Sequence, residues 1–185
     1  MNSLKIVSLV FFVRSMEQIP CPCCGERLNV IGSRRRKYLT SQSLPQVVVI
    51  RRLRCCRCGR IHHELPDFLV PYKRYAGEAI EPVVANELPL SVAVDESTIT
   101  RWRQWFAERA EHFAGCLESI RIRFGYGFVG GPSDLSLSVL QRIWHYVGDA
   151  PAWLARVVRT VANTNQWVHT RSAFCPSWQG YTIML

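Results

Sequence analysis

The sequence predicts an α+β protein. A small antiparallel sheet built around four cysteines comes first, then a helix-turn-helix-like segment, then a helical C-terminal region. Two matching knuckles, Cys21-Pro22-Cys23-Cys24-Gly25 and Cys55-Cys56-Arg57-Cys58-Gly59, bracket a stretch rich in β-branched residues. From residue 76 onward, apolar residues recur at intervals of three and four instead. The net charge of +9 is also localised: from Cys21 to Tyr75 there are 12 Lys or Arg against 3 Asp or Glu, and elsewhere 11 of each.

Each knuckle supplies a C-x-x-C pair followed at once by glycine, with 30 residues between Cys24 and Cys55. Four thiolates so spaced can close a tetrahedron around one Zn²⁺, and glycine lets the chain turn sharply behind the second thiolate. Cys21, Cys24, Cys55 and Cys58 are the expected ligands. Cys23 and Cys56 offer pairs with only one intervening residue, and His62 or His63 could replace one thiolate. Cysteines in metal spacing, with Cys116 and Cys175 isolated, suit a reducing cytoplasm better than a disulfide scaffold.

The elements follow in order. Ile6–Val13 is too short for a membrane span and lacks a small-x-small cleavage site, so it reads as a strand packing onto the metal module. Leu28–Ile31 is expected as a brief strand, Gly32–Tyr38 as a basic turn, Ser41–Pro45 as a loop, and Val47–Arg54 as a strand running into the second knuckle. That order describes a zinc ribbon, a sheet too thin to hold itself together without metal. Its cations Arg34, Arg35, Arg36, Lys37, Arg51, Arg52 and Arg54 would line one exposed region.

A helix is expected from near Lys73, carrying Ala76, Ile80, Val83, Val84 and Leu88, with Pro82 kinking it or shifting its start. A second begins behind Asp95 or Ser97 as N-cap and buries Ile99, Trp102, Phe106, Ala110 and Phe113 on one face. Residues 125–133 form a Gly-rich linker. Two further helices are expected, at Asp134–Val147, stopped by Gly148, and from Pro151 through Val161. The domains are thus 1–72, 73–124, the linker 125–133, and 134–185.

A cationic field of this density attracts a polyanion, most often nucleic acid. The start of the second helix has the composition of a recognition helix: Arg101 or Arg103 could bond guanine, Gln104 adenine, and Thr98 and Thr100 a phosphate or thymine methyl. Trp102 and Trp105 have the spacing of packing residues. Only Leu90–Val94 is available for the usual middle helix. The knuckle order, the Val47–Arg54 strand, His63-Glu64-Leu65-Pro66 and Ser97-Thr98-Ile99-x-Arg101-Trp102 together resemble an uncharacterised bacterial family of zinc-ribbon and helix-turn-helix proteins encoded near insertion elements. They are also similar to the N-terminal DNA-binding region of ISL-three-type transposases. Ser33–Tyr38 and Leu69–Tyr75 extend the likeness over approximately residues 20 to 110, and Thr170–Phe174 shares it. The resemblance implies DNA binding in a mobile-element context, as an accessory or regulatory factor, and supplies no catalytic residues.

No enzyme activity is expected. The acids after the second helix (Glu108, Glu111, Glu118, Asp134 and Asp149) lack the β–α surroundings of a three-carboxylate transposase. No nucleophile pairs with a histidine, and Gly125–Gly131 lacks the Lys-Ser/Thr of a phosphate loop. His62-His63-Glu64 is expected to cap or pack beside the ribbon. The expected partners are DNA and a transposase or other protein, with no membrane and no small-molecule substrate. The rival reading is a ribbon that docks RNA or a protein, such as a polymerase or separately encoded transposase, through Arg34–Lys37 without reading sequence.

Overall fold

A computed structural model describes residues 10–15, 18–125, 137–167, 172–175 and 181–183. The chain folds as α+β, with a six-stranded mixed sheet and four helices among the described residues. Strands β1 (Val10–Val13), β2 (Leu28–Leu39), β3 (Pro45–Cys55) and β4 (Ile61–Pro66) come first. Helices α1 (Gly77–Val84), α2 (Glu96–Arg123), α3 (Val139–Val147) and α4 (Trp153–Asn163) follow, then the short strands β5 (Ser172–Cys175) and β6 (Tyr181–Ile183).

The sheet is mixed and not purely antiparallel, which corrects the ribbon expected from sequence. The path β5-β4-β3-β1-β6 contains parallel β4–β5 and β1–β3 pairings, and β2 adds to β3 off this path. Of the strand expected at Ile6–Val13, Val10–Val13 joins the sheet that carries the knuckles, with Phe11 opposite Val48, and residues 6–9 lie outside the described residues. The basic turn expected at Gly32–Tyr38 is strand instead: β2 continues through Arg34–Lys37, paired residue for residue with Val47–Ile50. The chain reverses at residues 40–44, where the Ser43 amide donates to the Thr40 carbonyl. A register shift between Val30 and Gly32 bends β2 where it leaves the knuckles.

The helices close one side of the sheet. Val48 and Ile50 of β3 and Leu65 of β4 enter one core with Ile80 and Val83 of α1, Trp102 and Phe106 of α2, and Leu154 and Val158 of α4. All five residues expected on the buried face of α2 are buried. Asp95 caps α2, its carboxylate accepting the Thr98 amide at 2.7 Å. The α1 helix starts at Gly77 rather than near Lys73, tolerates Pro82, and leaves Leu88 outside and exposed. Ser138 opens α3 with a capping box, and Gly148 at φ 77° ends it. At α4 the amides of Ala152 and Leu154 donate to the buried Glu81 carboxylate of α1, at 3.0 and 2.8 Å. Burial raises the Glu81 pKa, while those amides and Arg156 oppose the rise. Trp153 is buried edge-on against Phe106, so α4 docks on α2.

Residues 85–95 separate α1 from α2 without an intervening helix, where a helix-turn-helix joins its two helices by about three or four residues. Helix α2 is also 28 residues long, continuing far past its polar start. The linker expected at 125–133 lies outside the described residues apart from Gly125. Residues 134–136 of the expected Asp134–Val147 helix, and Thr170 and Arg171 of Thr170–Phe174, also lie outside the described residues, while Ser172–Phe174 fall in β5. No helix among the described residues is long and apolar enough to cross a membrane.

Candidate metal centre and cationic cleft

The two knuckles meet at one end of the β2–β3–β4 sheet. The first turns through Cys21, whose carbonyl accepts the Gly25 amide at 2.8 Å, and the second through Cys55, whose carbonyl accepts the Gly59 amide at 3.2 Å. Gly25 and Gly59 take φ of 75° and 67°, the left-handed conformation that favours glycine. Knuckle is tied to knuckle because the Cys56 amide donates to the Arg27 carbonyl at 3.2 Å and Leu28 pairs with Cys55.

These turns bring the Sγ atoms of Cys21, Cys24, Cys55 and Cys58 within 4.8 Å of one another, so the four can hold one metal ion. Cys21 and Cys58 lie 3.7 Å apart, and Cys24 and Cys55 3.5 Å. A tetrahedron with metal–sulfur bonds of about 2.3 Å has edges of roughly 3.8 Å, so the donor set fits such an ion closely. The Cys58 amide points at the Cys55 sulfur from 3.4 Å. Burial pushes the Cys55 thiol up, but the amides of Cys58 and Arg57 and the neighbouring thiols outweigh it and bring the pKa down to about 6. Burial drives Cys21 the other way, above its ordinary range.

The spare cysteines separate by geometry. Cys56 points away from the quartet and donates to the Arg27 carbonyl at 3.2 Å. Cys23 receives the Arg60 guanidinium at 3.1 Å, yet also forms a looser trio with Cys21 and His62. His62 is fully buried with Nε2 3.4 Å from the Cys21 sulfur, positioned to orient that ligand from outside. His63 faces the other way. Burial lowers its pKa first, and the charges of Arg34, Arg52 and Arg36 lower it further. Glu64 is buried and takes both Arg51 donors at 2.6 Å, plus the Ser15 amide at 3.3 Å.

The seven ribbon cations therefore do not all share one region. Side chains alternate across a strand, so Arg34 and Arg36 lie on the face of Ile50 and Val48, and Arg35 and Lys37 on the opposite face with Arg51. Arg51 is committed to Glu64. Arg36 is half-buried and donates to the carbonyls of Val70 and Lys73, pinning residues 70–73 against β2. Burial, then Arg34, lowers its pKa. Arg52 is half-buried near His63, and exposed Arg54 borders the knuckles beside Cys56.

What sequence did not reveal is a second bank of cations. Lys73 and Arg74 face Arg34, Arg35, Arg36 and Lys37 across a cleft of about 360 Å³ with Tyr72 at its edge, and no carboxylate among the described residues lines it. The bank is set by backbone: the Leu39 amide donates to the Arg74 carbonyl and the Ala76 amide to the Leu39 carbonyl, both at 2.9 Å.

At the start of α2, Thr100, Arg101, Arg103 and Gln104 are exposed, whereas Thr98 is buried with its hydroxyl on Asp95 at 3.1 Å. Arg101 bonds Ser97 and Thr98, Arg103 reaches the Val83 carbonyl at 3.4 Å, and Gln104 bonds Glu108 at 3.0 Å. Trp102 packs edge-on against Tyr75 with centroids 5.0 Å apart.

Residues 21–102 match a domain of unknown function (DUF6431), covering both knuckles, the cationic cleft and the start of α2. No curated protein and no solved structure matches the chain.

Proposed function

We propose that the chain is a Zn²⁺-stabilised nucleic-acid-binding protein with DNA as its partner, and not an enzyme. The observation that carries this reading is the cleft between β2 and residues 73–74, lined by cations and an aromatic ring with no acid among them. A four-thiolate donor set suits zinc, although an iron centre uses the same ligands. The metal's part is structural. It fixes the knuckles from which β2 and β3 emerge, and so sets the strand that carries Arg34, Arg35 and Lys37.

Binding would be dominated by phosphate contacts. If Arg34, Arg35, Lys37, Lys73 and Arg74 each neutralise one phosphate of a duplex, affinity falls with salt at a log–log slope of roughly −4.5. Zinc content and fluorescence anisotropy on random duplex DNA across a salt series test this together. One tightly held zinc with a steep slope supports it, whereas zinc without salt-dependent DNA binding shifts the reading to a protein partner. Arg101→Ala and Arg103→Ala ask whether the exposed start of α2 also reads bases. A loss of discrimination between duplex sequences would support base reading. Unchanged affinity, with Arg35→Ala weakened, would assign binding to the cleft alone. The narrower role of accessory or regulatory factor of a transposable element is supported by the resemblance, and a gel shift on the element's ends tests it.

A further inference from the structure

Beside the cationic cleft lies a second cavity of about 190 Å³. Trp105 and Phe113 of α2 wall it together with Trp167. The Phe113 and Trp167 rings are stacked at 5.0 Å and 22°, and Trp105 stands 6.1 Å from Phe113. His112 meets the Gln166 carbonyl at 3.0 Å, which holds the Trp167 segment to α2. Lys73 and Arg109 add positive charge, and the Lys73 ammonium rests 4.2 Å from the Trp105 ring centre. The guest such a recess recognises is flat, apolar on its faces and attached to negative charge.

Tyr72 and Lys73 line both cavities, so the recess adjoins the cationic cleft. Tyr72 sits in a turn closed by the Lys73 amide on the Val70 carbonyl, with Pro71 ahead of it and φ of 61°. That is a position glycine fills at no cost, yet the chain places an aromatic ring there and leaves it 74% exposed. We infer that the chain binds an unpaired nucleotide of a nucleic-acid strand. Its phosphates would lie along Arg34, Arg35 and Lys37, and its base would enter the Trp105–Phe113–Trp167 recess past Tyr72. Bases within a duplex are stacked and paired and cannot enter, whereas a single strand offers every base face to aromatic side chains. This rests on the nucleic-acid reading above and narrows it to single-stranded or locally opened substrate.

The test compares fluorescein-labelled oligothymidylate and oligouridylate with a duplex of the same length, by anisotropy on the full zinc-loaded chain. The single strands should bind more tightly than the duplex, and the preferred sugar tells DNA from RNA. Trp105→Ala should weaken single-strand binding on the order of tenfold and leave duplex binding unchanged. Since Trp105 also packs within α2, Tyr72→Ala at the exposed position provides a variant that spares the core. It should show the same selective loss, and Tyr72→Phe should not. Equal binding of all probes, with the aromatic variants unaffected, overturns the inference and leaves the cationic cleft standing as a phosphate site. Absence of salt-sensitive binding to any probe overturns both.

Discussion

Removing the zinc proposed for the cysteine quartet should melt one end of the sheet and leave the rest folded. The knuckle residues, 21–27 and 55–60, are held by six backbone bonds: Cys21 to Glu26, Cys24 to Cys21, Gly25 to Cys21, Cys55 to Arg60, Cys56 to Arg27 and Gly59 to Cys55. Ordering these 13 residues costs on the order of 20 kcal/mol at ~1.5 kcal/mol per backbone. Six net hydrogen bonds return about 6 kcal/mol. A structural zinc contributes on the order of 13 kcal/mol, which closes the difference to within a few. Cys21 and Cys55 are buried but stand apart from the hydrophobic core, which is built from Val48, Ile50 and Leu65 against the helices. Hydrogen exchange read by mass spectrometry on zinc-loaded and chelator-treated protein measures the outcome. Protection in both knuckles should fall towards that of an unfolded chain, while α2 and α4 change less than tenfold, or under ~1.4 kcal/mol. Collapse of α2 and α4 in step with the knuckles would refute the separation of metal end from core. Unchanged knuckles would refute the metal's role.

Other perturbations have equally definite outcomes. Cys24→Ser should abolish stoichiometric zinc while Cys56→Ser retains it, by metal analysis after dialysis, because Cys56 faces the Arg27 carbonyl instead of the quartet. Arg51→Met strands the Glu64 carboxylate, which is 2% exposed, and should cost about 3 kcal/mol in urea denaturation; Arg51→Met with Glu64→Leu should recover most of it. Burial, and then Arg109, push Lys73 down to about 8 from 10.5, against the pull of Glu108. Between those values the unfolded chain holds a proton that the folded chain has released, so this group makes stability rise with pH across that window. Lys73→Met should flatten that rise in denaturation midpoints measured from pH 8 to 10, and an equal rise in the variant would refute the assignment.

Much of this chain is legible one residue at a time. The doubled C-x-x-C-G motif specifies which four sulfurs gather, because ligand spacing and a positive-φ glycine are local properties that no distant packing alters. The buried faces of α2 and α4 are likewise written in apolar spacing, and Asp95 and Gly148 mark helix ends by their own chemistry. Tertiary structure decided what depends on pairing partners. Arg34–Lys37 reads as a turn by composition, yet the ladder with Val47–Ile50 holds it in a strand and sends alternate cations to opposite faces. Parallel pairing of β1 with β3 removes the thin ribbon, because strand order is set by long-range contact and not by propensity. Arg36 and Arg51 look like free surface charge in the sequence and are engaged in the fold, by two carbonyls and by Glu64. The aromatic recess joins Lys73, Trp105 and Trp167, residues that only the packing of α2 against its neighbouring segments brings together.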